Sequence, residues 1–284
     1  MKRKTIVEMV GFFGLRVCLY LVLAVLILFL YDIGSKGAPA VSWEFLSQAP
    51  RRGMTEGGIF PAVIGTFLVT IITAILAVPL GMFAAVYLNE YARQTRLTRI
   101  IRLSIRNLSG VPSIVYGLFG VILFVNTLAL GTSILSAGLT LGLLTLPWTI
   151  TASEEALKTI PGSYREGALA LGATKWQAIR TNVLPHALPG MLTGAVLGLA
   201  RAAGETAPIM FTGAAFYLPF LPRSLGDQFM ALPYHLYVMA TQHHATAQVR
   251  PLAYGTALVL LALIFLMNFS AILLRYRMRR SKRE

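Results

Sequence analysis

The sequence predicts an all-α fold: a polytopic integral membrane helical bundle of about six transmembrane helices, with one long helical loop on the cytoplasmic side. Three observations carry that expectation. Of the 284 residues, 56% are hydrophobic and only 13% are charged, with a mean hydropathy of +0.69, whereas soluble domains carry about a quarter charged residues. Several apolar runs reach the roughly 20 residues that a membrane helix needs. The Lys and Arg residues, which set a net charge of +14, stand in short blocks between those runs rather than along one face. A disordered chain and a soluble enzyme are therefore excluded. The basic charge reads as topology and attraction to anionic lipid, and no nucleic-acid motif accompanies it. Cys18 is the single cysteine, so the chain has neither a disulfide nor a thiol-based metal site.

The first expected span is about Phe12–Ile33. Its apolar run is too long for a signal peptide and no small-residue cleavage site follows, so it reads as an uncleaved anchor. Residues 1–55 are then an anchor helix with an external loop, and 56–284 the core of the bundle. The second span opens at Pro61, a favoured helix-start residue, and runs to about Leu88. Asn107–Ser153 is uncharged over 47 residues, enough for two spans near Val111–Val125 and Ile134–Thr151 with a turn at Asn126–Ser133. A fifth span is expected at about Leu188–Ala214 and a sixth at about Leu252–Leu274.

The positive-inside rule orients these spans. With the N-terminus inside, nineteen of the 25 Lys and Arg fall in cytoplasmic segments, including Arg93–Arg106 and the tail with Lys282 and Arg283. Five fall outside: Lys36, Arg51, Arg52, Arg223 and Arg250. Both ends are expected in the cytoplasm.

The loop at about 154–189 lies between the fourth and fifth spans. Ser153 ahead of Glu154 and Glu155 has the form of an N-cap with an acidic first turn, and Pro161 ends that short helix. Ser163 with Glu166 has capping-box spacing, and Gly172 closes the helix they open. Thr174 caps another carrying Trp176, Ile179 and Val183. Pro185 and Pro189 are expected to stop it and bend the chain into the fifth span. Patterning alone leaves two readings. The helices rest on lipid headgroups, or they lay a ridge into a groove on a cytoplasmic partner.

Arg201 and Glu205 are the most unusual residues, because a charge at the bilayer centre costs about 2.5–3.5 kcal/mol on insertion scales. At i, i+4 spacing the two can meet. Gly190, Gly194, Gly198, Ala202 and Thr206 form a small-residue ladder that lets helices approach closely. The pair is either a structural lock or part of a substrate path, and the rarity of intramembrane charge favours the path. Ser109, Gly110, Ser113 and Tyr116 either line the same polar path or serve close packing. Pro79, Pro112 and Pro147 fall in or near spans, where kinks are tolerated.

The external segment Phe216–Pro251 reads as a gate or docking surface, with Asp227 and Arg223 available for polar contacts. It carries His235, His243 and His244, but no carboxylate or cysteine at ligand spacing stands with them, so no metal site is expected. His186 reads as an interfacial residue. There is no Gly-rich phosphate loop ending in Lys-Ser or Lys-Thr and no nucleophile-and-base set. The chain is expected to be non-catalytic.

Glu166-Gly167-Ala168, three residues, Gly172, then Leu184-Pro185 resembles the loop signature of ABC-importer permeases of the type-1, MetI-like superfamily. Its usual form is Glu-Ala-Ala, three residues, Gly, nine residues, Ile, one residue, Leu-Pro. Gly167 replaces the first Ala and Asn182 fills the Ile position. Gly57-Gly58-Ile59-Phe60-Pro61-Ala62, Gly110-Val111-Pro112-Ser113-Ile114-Val115-Tyr116-Gly117 and Arg201-Ala202-Ala203-Gly204-Glu205-Thr206-Ala207-Pro208 together resemble the phosphate-specific permeases of the PstA type, over about residues 57–275.

That resemblance implies the permease subunit of an ATP-driven importer in the bacterial cytoplasmic (inner) membrane. It would move inorganic phosphate inward by alternating access. It implies a coupling role toward the ATPase subunit for Glu166, Gly167, Ala168, Gly172, Leu184 and Pro185. It implies a substrate pathway past Arg201, Glu205, Ser113 and Tyr116. The implied partners are a second homologous permease, two copies of an ATP-binding subunit and an external phosphate-binding protein. No cofactor is expected on this chain, with ATP and Mg on the partner ATPase. The rival readings are a permease for another oxyanion (molybdate, sulfate or phosphonate), an ion-driven secondary transporter and a membrane enzyme.

Overall fold

The computed structural model describes residues 2–280; Lys282 and Arg283 of the basic tail lie outside the described residues. The chain is mostly helical. Among the described residues, five helices are long and apolar enough to cross a membrane, and one sharply bent helix pair makes up to a sixth span.

Helix α1 (Lys2–Gly37) contains the first expected span, of which only Ile33 at its end is buried within this chain. It meets the bundle only near its end, where Gly37 lies against the Tyr254 backbone. The connection that follows holds α2 (Trp43–Ser47), whose first turn is capped by the Ser42 hydroxyl accepting the Phe45 N–H. A short hairpin then pairs β1 (Pro50–Arg51) with β2 (Glu56–Gly57).

Helix α3 (Phe60–Val86) starts with Pro61 in its first turn and runs on as a π-turn to Tyr91. Thr66, Thr70 and Thr73 are buried in it, and each returns its hydroxyl to the carbonyl four residues back. Polar side chains in an apolar medium are thereby satisfied inside their own helix. Its main partner is α6 (Ile134–Lys158). Gly138 and Gly142 of α6 leave the space that Ile72 and Leu76 of α3 fill.

The third span departs from expectation. Arg96–Leu108 is a helix, α4, and Ser113–Gly120 is another, α5, which continues as π-turns to Thr127. The two meet at 101°. Pro112 sets that elbow, since proline disfavours helical geometry in the residue before it. At about 1.5 Å per residue, Ser113–Thr127 is too short for a hydrocarbon core of about 30 Å. Arg96, Arg99 and Arg106 share one side of α4, while Leu97, Ile101 and Leu108 share the other.

The fourth span runs past Thr151 to Lys158, so Ser153 is an interior helical residue and not an N-cap. Ser153 and Glu154 are buried, and Arg102 of α4 approaches the Glu154 carboxylate at 3.1 Å. Helix α7 (Ser163–Ala170) is entered through Gly162, and the expected Ser163–Glu166 capping box does not form. The turn at Pro161–Gly162 starts the helix one residue earlier, placing Ser163 inside it. Gly172 stops the chain at φ +82°, a value that favours glycine. Thr174 caps α8 (Lys175–Ala178) with the full reciprocal box to Gln177.

Pro185 and Pro189 do not stop the next helix. A π-turn over Ile179–Val183 feeds directly into α9 (Leu184–Ala203), with Pro185 in its first turn and Pro189 inside. Wider π geometry accommodates the hydrogen bonds that proline cannot make. The fifth span ends earlier than expected, at Ala203. The chain breaks at Gly204–Thr206 and resumes as α10 (Ala207–Thr212).

The segment between α10 and α12 folds onto the bundle through α11 (Leu232–Thr241), pinned where Leu232 N–H donates to Thr66 Oγ1 at 2.8 Å. Helix α12 (Thr246–Arg280) contains the sixth span. One core lies at the arginine-rich end, around Leu88, Ile150, Leu157, Ile179 and Met191. A second lies at the other end, around Val69, Ile134, Leu141, Ile209 and Phe229.

Candidate translocation cleft and coupling face

Ser109, Tyr116, Thr145, Trp148 and Arg201 line a narrow cleft of about 20 Å³ at the α4–α5 elbow, between α6 and α9. The small-residue ladder explains why α9 lies so close to α6. Gly190, Gly194 and Gly198 face Ala156, Ala152 and Trp148 in turn, and a Cβ on any of them would collide. Arg201 follows one turn beyond Gly198. Its guanidinium stands 6.0 Å from the Trp148 ring centroid, at the outer limit of a cation–π contact.

Arg201 Nε lies 3.6 Å from Glu205 Oε1. Glu205 sits past the end of α9, with its N–H bonded to Ala202 O at 3.1 Å. The pair therefore bridges a helix break, whereas the sequence reading placed it within a helix. The Arg201 side chain is 56% exposed and that of Glu205 only 16%. A fixed cation is thus presented to the cleft with its counter-charge held behind it. Tyr116 donates its hydroxyl to Leu108 O at 3.0 Å, fastening α5 back onto the end of α4. The structure brings Tyr116 and Ser109 to Arg201. It does not bring Ser113, which stands in the first turn of α5 and outside the cleft lining.

The loop residues divide into two groups. Glu166, Gly167 and Gly172 are exposed on a ridge with Leu169, Leu171 and Tyr164, and Leu171 is 91% exposed. Ala168 is buried, and Leu184 packs against the core of the arginine-rich end; Pro185 is half-buried. The second half of the motif anchors, and the first half, apart from the buried Ala168, is presented.

Sequence reasoning missed the residues that hold this ridge. Arg165 contacts Glu90 with Nε at 3.0 Å from Oε2 and Nη2 at 2.7 Å from Oε1. Arg102 reaches Leu88 O at 2.6 Å, and its Nε lies 3.1 Å from Glu154 Oε1 without hydrogen-bond alignment. The available signal was Glu90 itself, a carboxylate closing an apolar run just before an arginine-rich block.

Among the described residues no group of three His, Cys, Asp or Glu is placed to hold a metal. His243 Nε2 is 2.6 Å from Gly53 O, and its Nδ1 accepts the Ala245 N–H at 3.0 Å. Asp227 closes a turn by accepting the Arg223 and Ser224 N–H groups, and these bonds hold its carboxyl below the usual range. Its contact with Arg223 is therefore to the backbone.

The family described as "binding-protein-dependent transport system inner membrane component" matches residues 77–281. The "phosphate transport system permease protein PstA 1" of Mycobacterium tuberculosis H37Rv is 36% identical over 227 residues, 80% of this chain and 72% of that protein. The "probable ABC transporter permease protein YqgI" of Bacillus subtilis is 36% identical over 203 residues, 71% of this chain and 68% of that protein. The PstA of Haemophilus influenzae is 34% identical over 74% of each chain. Among solved structures, an inward-facing MetNI methionine transporter chain superposes with a TM-score of 0.62 at 18% identity, covering 78% of this chain and 97% of that one. A bacterial ABC transporter that imports alginate gives 0.61 at 13% identity, over 92% and 95%. With a bent third span, a broken fifth span and an exposed loop ridge already in place, this chain belongs to the family of binding-protein-dependent transport system inner membrane components, among the PstA-type permeases.

Proposed function

We propose that this chain is the phosphate-conducting permease subunit of an ATP-driven importer, and that phosphate passes the Arg201 cleft. The observation that carries this reading is the half-exposed Arg201 guanidinium backed by Glu205 at 3.6 Å. A guanidinium stays charged and offers a planar fork of donors to phosphate oxygens. Glu205 competes for that fork, which keeps the anion's stay short enough for conduction. The names of the PstA relatives support phosphate as the substrate over other oxyanions.

The arginine-rich end faces the cytoplasm in this reading, by the positive-inside rule. The ridge of Glu166, Gly167 and Leu171 docks there on an ATP-hydrolysing partner that carries ATP and Mg. Two such subunits, a second permease and an external phosphate-binding protein complete the assembly. Nucleotide binding closes the ATPase pair, and the bundle opens outward to the loaded binding protein. Hydrolysis then resets the inward state. This chain supplies the path and no catalysis.

The test is uptake of labelled phosphate by cells with and without the gene, with competing sulfate and molybdate, and with an uncoupler while ATP is maintained. Gene-dependent uptake that ignores the competitors and survives the uncoupler is the expected result. Loss under the uncoupler at constant ATP would make the protein a secondary transporter. Inhibition by sulfate or molybdate, with phosphate uptake unaffected by gene loss, would replace the substrate.

A further inference from the structure

Two arginine–glutamate pairs at the arginine-rich end lie outside both the cleft lining and the exposed ridge. Arg165 joins three elements. Besides Glu90 at the end of α3, it donates through Nη1 to Ile160 O at 2.9 Å and through Nη2 to Leu157 O at 3.2 Å, at the end of α6. The Glu90 side chain is 4% exposed and takes a further bond from Asn89 Nδ2 at 2.8 Å. Helix α7 buries only Ala168, and its Tyr164 stands edge-on to His186 of α9 with ring centroids 4.8 Å apart. The Arg165 fork is the polar contact that ties it to α3 and α6.

Arg102 grips the same π-turn through Leu88 O and touches Glu154 of α6, with side chains 18% and 6% exposed. It stands on α4, which leads directly to Leu108 and Ser109 at the wall of the Arg201 cleft. Ion pairs and backbone hydrogen bonds thus link α7 through the end of α3 to α4, the helix that ends at the elbow.

We propose that Arg165 and Arg102 are positioning residues that make α7 and the α4–α5 elbow move as one body, so that displacement of the ridge re-shapes the Arg201 cleft. This rests on the reading that α7 docks on an ATP-hydrolysing subunit. A guanidinium fork fixes both distance and angle, where apolar contacts slide. Separating α7 from α3 would strand a buried carboxylate, so the elements resist moving apart. Neither residue touches substrate.

The test uses the complete complex in proteoliposomes, with Arg165→Gln, Arg165→Lys and Arg102→Gln. Spin labels at Ser163 in the first turn of α7 and Asn107 in the last turn of α4 report the distance between the two bodies. In the wild type that distance stays sharp and unchanged between nucleotide-free and ATP-trapped states. Arg165→Gln and Arg102→Gln broaden it and make it nucleotide-dependent, and phosphate moved per ATP hydrolysed falls at least tenfold. Arg165→Lys keeps the charge but loses the fork, and it falls between. Should the glutamine variants fail to assemble, the lysine variant alone decides the matter. Transport per ATP within twofold of wild type, or an unaltered distance in the variants, would overturn the proposal. Failure of the underlying reading looks different, because the wild-type complex would then show no ATP-driven uptake before any variant was compared.

Discussion

Arg201 and Glu205 face each other across the end of α9 at 3.6 Å, longer than the roughly 2.7–2.9 Å of a strong charge-assisted bond. The guanidinium is held in place without being saturated, so an arriving anion can displace the carboxylate. Arg201→Gln is expected to lower the maximal uptake rate at least tenfold. Arg201→Lys keeps the charge and loses the bidentate geometry, and it is expected to retain an intermediate rate. Initial-rate uptake in proteoliposomes, with complex abundance matched, measures both.

Glu205→Gln removes the competitor and leaves the cation. Opposite charges near 4 Å interact by about 1 kcal/mol in water and about 4 kcal/mol at an effective dielectric of 20. The anion should therefore bind the permease about tenfold more tightly and leave more slowly. Equilibrium dialysis of labelled phosphate against the complex without its binding protein gives the affinity. Uptake assays should show a lower maximal rate. Tighter binding with faster transport would refute the competition argument.

Gly194 lies against Ala152 in the α6–α9 seam, where a Cβ already collides. Gly194→Leu should push the two helices apart and destabilise the bundle by about 1–3 kcal/mol, the usual range for overpacking. Because the seam carries Trp148 and Arg201 at its end, the cleft should open as well. A lower thermal midpoint of the purified complex, together with loss of uptake, is the expected pair of results.

Gly167 has nothing within 4 Å of its Cβ position and sits inside α7 at an ordinary helical φ. Gly167→Ala should stabilise α7 by about 0.5–1 kcal/mol, since glycine loses more backbone freedom in a helix. Slower amide exchange over residues 163–170 would register this, with uptake maintained. A drop in uptake would mean that the docked partner needs the bare backbone there.

These residues show how much the sequence revealed. Long uncharged runs encode spans directly, because the bilayer demands apolar length, and α1, α3, α6 and α12 were legible for that reason. The third span was not, because its arginine-rich half reads as a connection until Pro112 is seen to fold it back on an apolar half. The fifth was blurred at both ends. Pro185 and Pro189 suggest a stop, which the π-turn at Ile179–Val183 removes, and Gly204 ends the helix inside an apolar run. Arg201 was conspicuous as a charge among apolar residues. Tyr116 and Ser109, which the sequence offers for a polar path, come from a different span, and the fold places them in the lining of the same cleft. Arg165 was invisible beside Glu166, since nothing local shows that one side chain turns inward to Glu90 and the other outward.

His235 supplies a pH dependence whose direction can be worked out. It is 3% exposed in α11, outside the spans, and its Nδ1 has no hydrogen-bond partner. Burial, with a smaller contribution from His243, lowers its pKa from 6.5 to about 4. The folded protein therefore keeps it neutral while the unfolded chain binds a proton near pH 6.5. Between those values the unfolded state holds more protons, so stability rises with pH. The full contribution is present above about pH 6.5 and is lost as the pH falls toward 4. A shift of that size corresponds to at most roughly 3–4 kcal/mol. The cap formed by α11, the Gly53 turn and the start of α12 should thus loosen in acid. Asp227 acts in the same direction lower down, since its depressed pKa keeps the Arg223–Ser224 turn closed until the carboxylate is protonated. His235→Leu removes the titrating group and should flatten the thermal midpoint of the complex between pH 6.5 and 5, while wild type declines steadily. Parallel curves for the two proteins would place the acid sensitivity elsewhere.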